Sequence, residues 1–391
     1  MRRLESNIPK LYILVVLRWL LFVMPIIVLF FYENGLNQTE IMILQAIFSI
    51  GIVIFEIPSG YFSDVIGRKR TIVIGSIIST FAFVIYSIST GFWGFLTAEL
   101  ILGLGASFIS GTDSAMIYDS LIQYGRENEY AKIEGRRTSA ANFSETAASI
   151  IGGLLATISL RFPFYVETAV MACTIPLAMT LVEPERHKFD NSQGNLKSIL
   201  SIVRFAIHEH FQLKWLIIYS SIIGTSTLTM VWFIQPYLDA VGLPVAYMGI
   251  VWAALNFSVG VFSILAYRFE RKLGMSRTLL MLLPLSVLAY ILSALTKSLW
   301  VIAVFFIFYF VRGIHGPMLK DYVNRLTSSD KRATVLSVKN MMGRLFFSIL
   351  GPFVGWIKDV YSFQEAFLIA AGILALTGGI SILFLKKHGT I

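Results

Sequence analysis

The chain has 391 residues, a length that would suit two or three soluble domains, but apolar residues make up 56% of it. Charged residues make up only 14%, whereas soluble domains carry about 25%, so most of this surface needs lipid as its solvent. The composition therefore excludes a soluble enzyme, a disordered chain and a secreted disulfide-stabilised protein, and the net charge of +9 needs another explanation than a soluble basic surface.

Twelve apolar runs of about 19 to 27 residues follow one another, and each is long enough to cross a hydrocarbon layer of about 30 Å as a helix. Those of the first half are 11–32, 40–61, 71–90, 92–118, 138–160 and 163–182. Those of the second half are 215–238, 246–267, 278–296, 299–319, 335–357 and 364–385. The sequence predicts an all-α integral membrane protein with twelve transmembrane helices, called spans 1 to 12.

The cations explain the net charge. Most of the 32 Lys and Arg residues lie on the side of the predicted membrane that also holds the termini. The opposite side has only Arg161, Lys297 and Lys358, and four cations fall within spans: Arg18, Arg312, Lys339 and Arg344. The positive-inside rule then predicts a multi-pass protein of the cell membrane with both termini in the cytoplasm, and no nucleic-acid partner.

A long polar stretch separates the two sets of six spans. We therefore predict an N-terminal six-helix bundle over 1–182, a cytoplasmic linker over 183–214 and a C-terminal six-helix bundle over 215–391. Weak internal similarity at an offset of about 205 residues supports two related bundles. The similar segments are Phe31–Leu36 with Tyr237–Leu243, Ser110–Gly111 with His315–Gly316, and Gly152–Gly153 with Gly351–Gly355.

The loop after span 2 is the most specific local feature. It reads Gly60-Tyr61-Phe62-Ser63-Asp64-Val65-Ile66-Gly67-Arg68-Lys69-Arg70-Thr71. Gly60 and Gly67 permit a tight return of the chain. Asp64 could cap a neighbouring helix or pair with Arg68 in one conformation only, although an ordinary basic loop with a single acid is an equal alternative.

This loop resembles the signature of the major facilitator superfamily, and a degenerate copy lies at Tyr267–Gly274. The resemblance extends over the whole chain and implies two pseudo-symmetric six-helix bundles. It also implies that Asp64 and Arg68 join a charge network with an acid of span 4, either Asp119 or Asp113. In the family this network holds the outward-facing state.

Within the family, the chain is most similar to the twelve-helix drug:proton antiporters. Where such exporters carry an arginine in span 4, this chain has Glu99 four residues before Gly103. The span 5 series of small residues is kept, but its proline is absent. The small residues expected to allow close helix packing, with one proline beside them, are Gly103, Gly152, Gly153, Gly351, Pro352 and Gly355.

Ionisable groups within spans are costly, so each is a hypothesis about function. Glu99 lies deep enough in span 4 to carry a proton. The other residues predicted to line a central cavity for substrate or protons are Arg18, Asp113, Glu145, Arg312, His315 and Arg344.

Structural alternatives remain for several of these residues. Arg18 could pair with Glu145, His315 could bond a backbone carbonyl, and Arg344 could extend towards the membrane surface. Glu167 lies near a span end, where a solvated carboxylate is the simpler expectation. On span 7, Ser221 and Thr225 could face a substrate or bond the preceding turn.

The chain lacks a nucleotide-binding loop and metal-ligand spacing, so neither a cofactor nor a metal is expected. The sequence predicts a secondary transporter, not an enzyme, that binds a small molecule and protons and is a monomer in the bilayer. Proton-coupled export of a hydrophobic or drug-like compound is the first interpretation. The alternatives are proton-coupled uptake of a polar or anionic solute, and a membrane sensor or scaffold that transports nothing.

Overall fold

A computed structural model of the protein describes residues 2–184, 210–327 and 331–389, and this part of the chain is helical throughout apart from short turns. The helices of the first half are Arg2–Glu5, Asn7–Arg18, Ile27–Glu33, Gln38–Ile66, Arg68–Ile88, Gly91–Ile109, Thr112–Ile122, the 3₁₀ turn Glu127–Glu129, Tyr130–Leu155 and Phe162–Met179. Those of the second half are Phe211–Ala240, Val245–Leu295, Val301–Arg325, Arg332–Val360 and Phe363–Lys387. The predicted all-α fold is confirmed.

Eight helical segments of the described chain are long and apolar enough to cross a membrane by composition alone. One of them, Val245–Leu295, is two helices joined at Gly274, so it supplies both span 8 and span 9. Spans 1, 5 and 11 are not among the eight. Span 1 is divided into short helices, and Tyr130–Leu155 and Arg332–Val360 carry several charged side chains.

The expectation of a continuous span 1 was wrong. Helix Asn7–Arg18 ends eight residues before Ile27–Glu33 begins, and residues 19–26 form turns that include Pro25. A break within a bilayer leaves backbone groups that need partners from other helices. The Val23 N–H donates to a carboxylate oxygen of Glu167 at 3.1 Å.

Close packing on span 5 accompanies this break. A Cβ atom added to Gly152 would overlap the carbonyl group of Phe22, and one added to Gly153 would lie 2.7 Å from the backbone nitrogen of Gly249. Gly103 makes only ordinary contact with Phe48. On span 11, Gly351 and Gly355 are buried, and Pro352 lies within the uninterrupted helix Arg332–Val360.

Glycines with positive φ support the internal repeat. Gly35 and Gly242 end the first and seventh spans with φ of 85° and 86°. Gly67 and Gly274 join spans 2 and 3 and spans 8 and 9, with φ of 109° and 76°. Both pairs have the same separation in sequence, and side chains other than hydrogen rarely tolerate this conformation. The halves therefore share the places where their helices turn.

The match between Ser110–Gly111 and His315–Gly316 is not reproduced. Gly111 has a φ of 77° and separates two helices of span 4, Gly91–Ile109 and Thr112–Ile122. Gly316 lies within the single helix Val301–Arg325. Span 4 is therefore bent where span 10 is not.

The chain forms two compact units, one of residues 1–188 with 244–254 and the other of 189–243 with 255–391. The predicted linker falls largely on residues 185–209, which lie outside the described residues. Each unit has buried aromatic rings where helix ends meet, with the Phe30 and Phe164 centroids 4.1 Å apart in the first unit and those of Tyr237 and Phe367 5.4 Å apart in the second. These rings fix the helices that carry the charged groups described below.

Candidate transport sites

The signature loop places a guanidinium between two acids. Gly67 ends helix Gln38–Ile66, which contains Gly60, and the next helix begins at Arg68. Arg68 Nη1 lies 2.8 Å from Asp64 Oδ1, and its Nε lies 3.3 Å from Asp119 Oδ2. The loop is therefore joined to the end of span 4 through Asp119, and Asp113 belongs to a different cluster.

Glu183, which follows span 6, caps the helix that begins at Arg68. Its two carboxylate oxygens accept the backbone N–H groups of Arg68 and Lys69, each at 2.8 Å. A carboxylate is favoured at a helix N-terminus because the unpaired N–H groups and the helix dipole both attract negative charge. This contact was not predicted from the sequence. Its only signal was an acid at the start of a polar stretch, more than a hundred residues from its partner.

The second unit carries a related charge cluster with the signs exchanged. Arg325, at the end of span 10, lies 3.1 Å from Glu270 in the degenerate signature and 2.7 Å from Asp321. In the first unit the loop supplies the cation and span 4 supplies the acid. In the second unit the loop supplies the acid and span 10 supplies the cation. The Arg325 side chain is 58% exposed, against 16% for Arg68, so its pairs are more strongly screened.

Arg18 is paired with Asp113, and the alternative of a pair with Glu145 was wrong. Arg18 Nη1 lies 3.7 Å from Asp113 Oδ2, and Arg137 Nη2 lies 2.8 Å from the same oxygen. Asp113 Oδ1 accepts the N–H of Ser114 at 2.7 Å. Arg137, one residue before predicted span 5, is buried on helix Tyr130–Leu155. A buried carboxylate is thus shared by two cations.

Glu99 is buried beside neutral donors. It is 3% exposed, and its Oε1 accepts a hydrogen bond from Gln45 Nε2 at 2.5 Å. The Tyr86 hydroxyl also bonds this carboxylate. Among the described residues, no Lys or Arg lies within ion-pair distance of Glu99. The side chain therefore sits within span 4 without a compensating cation.

Glu167 is fully buried, so the expectation that it is solvated was wrong. Its Oε2 accepts the Val23 N–H at the break in span 1. Its Oε1 has no hydrogen-bond partner among the described residues. The expectation was based on the position of Glu167 near a predicted span end. The break in span 1 brings polar backbone groups into the interior, and these groups need an acceptor there.

The second unit contains a cavity of about 690 Å³ among spans 7, 8, 10 and 11. It lies at the middle of these helices, and its basic residues are only partly buried. The polar residues that line it include Ser220, Ser221, Thr225, Arg312, His315, Lys339, Asn340 and Arg344. Lys339 was counted as a cation within span 11 but was not predicted as a cavity residue.

The His315 ring is fixed by the backbone of span 7. Its Nε2 lies 2.8 Å from the Ser220 carbonyl oxygen and 3.2 Å from the Ser220 hydroxyl. Because a carbonyl oxygen can only accept, Nε2 must carry a proton. The geometry therefore agrees with the alternative that His315 bonds a backbone carbonyl. His315 also lines the cavity.

A sequence model of the Major Facilitator Superfamily matches residues 11–352, most of the chain. The chain belongs to this superfamily. The match covers the signature loop, both charge clusters and all the residues that line the cavity. It identifies a family of membrane transporters.

Three similar proteins illustrate this membership of the Major Facilitator Superfamily. The uncharacterized MFS-type transporter YxaM of Bacillus subtilis is 22% identical over 90% of this chain and 89% of that protein. Multidrug resistance protein 2 of the same species is 21% identical over 93% and 91%. The crystal structure of the nucleoside transporter NupG has a TM-score of 0.81 with 16% identity, over 97% of this chain and 99% of that one, which shows a shared fold.

Three of the residues predicted to line one central cavity do line a common cavity in the structure. Arg312, His315 and Arg344 line the cavity of the second unit. Arg18 lies in the first unit with Asp113, and Glu145 is partly buried on the span 5 helix of that unit. Helical spacing could group residues along one span, but it could not assign partners between spans.

Proposed function

We propose that this superfamily member is a proton-coupled exporter of a small hydrophobic or drug-like compound. It works by alternating access, in which two helix bundles rock about a substrate site. The relative named Multidrug resistance protein 2 supports the choice of compound class. The shared turns of the two halves support a mechanism built on repeated bundles.

Glu99 is the observation that carries the proton coupling. An acid within a membrane span is costly and marks proton pathways in transporters. Glu99 is hydrogen-bonded by Gln45 and Tyr86, which are both neutral donors. It can bind and release a proton without the separation of an ion pair, unlike Asp113, which lies between Arg18 and Arg137. Glu99 is therefore assigned as the proton carrier.

Asp64, Arg68 and Asp119 are assigned as a conformational lock on the predicted cytoplasmic side. Arg68 joins the end of span 2 to the end of span 4 through two carboxylates. A contact that exists in only one of two states stabilises that state by its own free energy. Glu183 supports the lock because it holds the backbone of Arg68 as well.

The test uses the full chain reconstituted in vesicles that contain a pH-sensitive dye, with a panel of toxic lipophilic compounds. The wild type should show compound-driven proton movement, and Glu99→Gln should lose it while compound exchange across the membrane continues. Glu127→Gln is the matched control, because Glu127 is exposed in the turn Glu127–Glu129. Unchanged proton movement in Glu99→Gln would overturn the assignment.

The same vesicles test the direction of transport. Protons and compound that move in opposite directions support export. Movement in the same direction would indicate the uptake symporter instead. If the folded protein moves no compound at all, a sensor or scaffold becomes the better interpretation.

A further inference from the structure

We propose that the transported compound carries an anionic group, which binds in the cavity of the second unit to Arg312, Lys339 and Arg344. This inference rests on the proposed transport function and names the chemistry of its substrate. It applies equally to export and to uptake.

The charge of the cavity carries the proposal. Three basic side chains line it, and none of the residues that line it is an Asp or Glu. Within the described ranges, Arg312 and Lys339 form no ion pair, and cations placed in a membrane span are rarely left without a partner. An anionic ligand would supply the missing negative charge.

Three acids of the second unit pair with cations away from the cavity. Glu270 and Asp321 bind Arg325 at one end of the helices, and Asp359 lies 3.2 Å from Lys358 at the other. Neither group lines the cavity. These three carboxylates therefore do not neutralise the charges of Arg312 and Lys339.

Several neutral donors of the lining are used within the protein, which leaves Arg312 and Lys339 among the donors for a ligand. The Ser221 hydroxyl donates to the Ile217 carbonyl at 2.9 Å, and the Thr225 hydroxyl donates to the Gly343 carbonyl at 3.2 Å. His315 Nε2 is directed at Ser220. A ligand therefore meets guanidinium and ammonium groups, which bind carboxylates and phosphates most strongly.

The remaining lining describes the rest of the ligand. Leu228, Val259 and Pro317 contribute apolar surface to the same cavity. The volume of about 690 Å³ is in the range of sites for drug-sized molecules. The substrate class is therefore an organic anion with an apolar body, such as an aromatic carboxylate or a phosphate monoester.

The test measures binding without a membrane gradient, on the full chain in an uncharged detergent. Naphthoate and naphthyl phosphate are the anionic probes, naphthamide is the neutral probe, and naphthylmethylammonium is the cationic one. Calorimetry should show that the anions bind at least about tenfold more tightly than the other two, a difference that corresponds to about 1.4 kcal/mol. Equal binding of all four probes, tightest binding of the cation, or no binding of either anion overturns the proposal.

Variants locate the site. Arg312→Gln and Lys339→Gln should each weaken naphthoate binding about tenfold. Arg312→Lys keeps the charge and should retain most of the affinity, which keeps the proposal testable if Arg312→Gln does not fold. Lys386→Gln removes an exposed cation of the same unit and should bind as the wild type does. Wild-type affinity in both Gln variants of the cavity would overturn the assignment.

Glu99→Gln separates this proposal from the proton coupling. The variant should bind naphthoate normally, because Glu99 lies in the first unit. Anion binding without any compound-driven proton movement would remove the proposed coupling and keep the anion site. Proton-coupled transport restricted to neutral or cationic compounds would remove the proposed anion site and keep the proton coupling.

Discussion

The first unit buries two acids, Glu99 and Glu167, away from its cations, whereas the second unit has cations around a cavity. Glu99 and Glu167 are both buried and accept hydrogen bonds from neutral groups. Arg312, Lys339 and Arg344 face open space within the second unit. The two halves keep the same glycine turns, so the shared framework was retained while the buried chemistry diverged. Under the two proposals above, one half binds protons and the other binds an anion.

The strongest test of this contrast concerns Glu167. Glu167→Ala should lower the free energy of unfolding by about 3 kcal/mol, because it removes buried volume and leaves the Val23 N–H without an acceptor. Glu167→Gln keeps an acceptor and should lose less than about half of that. Chemical unfolding in detergent measures both.

Glu167→Gln also distinguishes a structural role of Glu167 from a role in proton coupling. If Glu167→Gln folds normally and still couples protons, Glu167 supports the break in span 1 and Glu99 remains the carrier. Loss of coupling in a stable Glu167→Gln protein would give the first unit two proton-binding acids.

Gly152 tests whether the break also depends on close packing. Gly152→Ala should destabilise the protein by about 1–3 kcal/mol, because the new Cβ would overlap the Phe22 carbonyl. Gly135→Ala, on the same helix, meets nothing within 4 Å and should be neutral or slightly stabilising. Thermal unfolding of the two variants gives the comparison, and equal midpoints would contradict the packing at Phe22.

The two charge clusters offer a comparison between the units. Arg68→Gln should slow transport about tenfold, since a change of about 1.4 kcal/mol in the balance of states has that effect. Arg325→Gln should slow it less than about threefold, because the Arg325 side chain is mostly exposed and screened. Vesicle transport rates measure both, and a larger effect at Arg325 would place the lock in the second unit.

Glu183 should show the smallest effect. Glu183→Ala removes the acceptor for two N–H groups at the start of span 3 and should cost about 1 kcal/mol of stability. Glu183→Asp shortens the side chain but keeps the charge, so it should recover part of this loss. A midpoint of unfolding that is unchanged in Glu183→Ala would show that the cap contributes nothing.

The sequence predicted the features that depend on local composition. Hydrophobic runs located the membrane helices, and the loop with Asp64 and Arg68 indicated the family. The spacing of charges also selected Arg312, His315 and Arg344, which do share a cavity.

Features that depend on contacts between distant helices were not predictable in the same way. Pro25 was visible in span 1, but the acceptor that makes its break tolerable is Glu167, 144 residues away from Val23. The partner of Arg18 was misassigned for the same reason, since helical periodicity fixes the face of a residue and not the helix opposite it. The orientation of the two termini remains a prediction from charge.

The divided span 1 has a mechanical consequence. A continuous helix can respond to a change at one end only by tilting or shifting along its whole length, because its internal ladder of bonds is stiff. The turns at residues 19–26 interrupt that ladder, so Asn7–Arg18 and Ile27–Glu33 can pivot about a common joint. One end of the first unit can then move while the contact between Phe30 and Phe164 at the other end is kept.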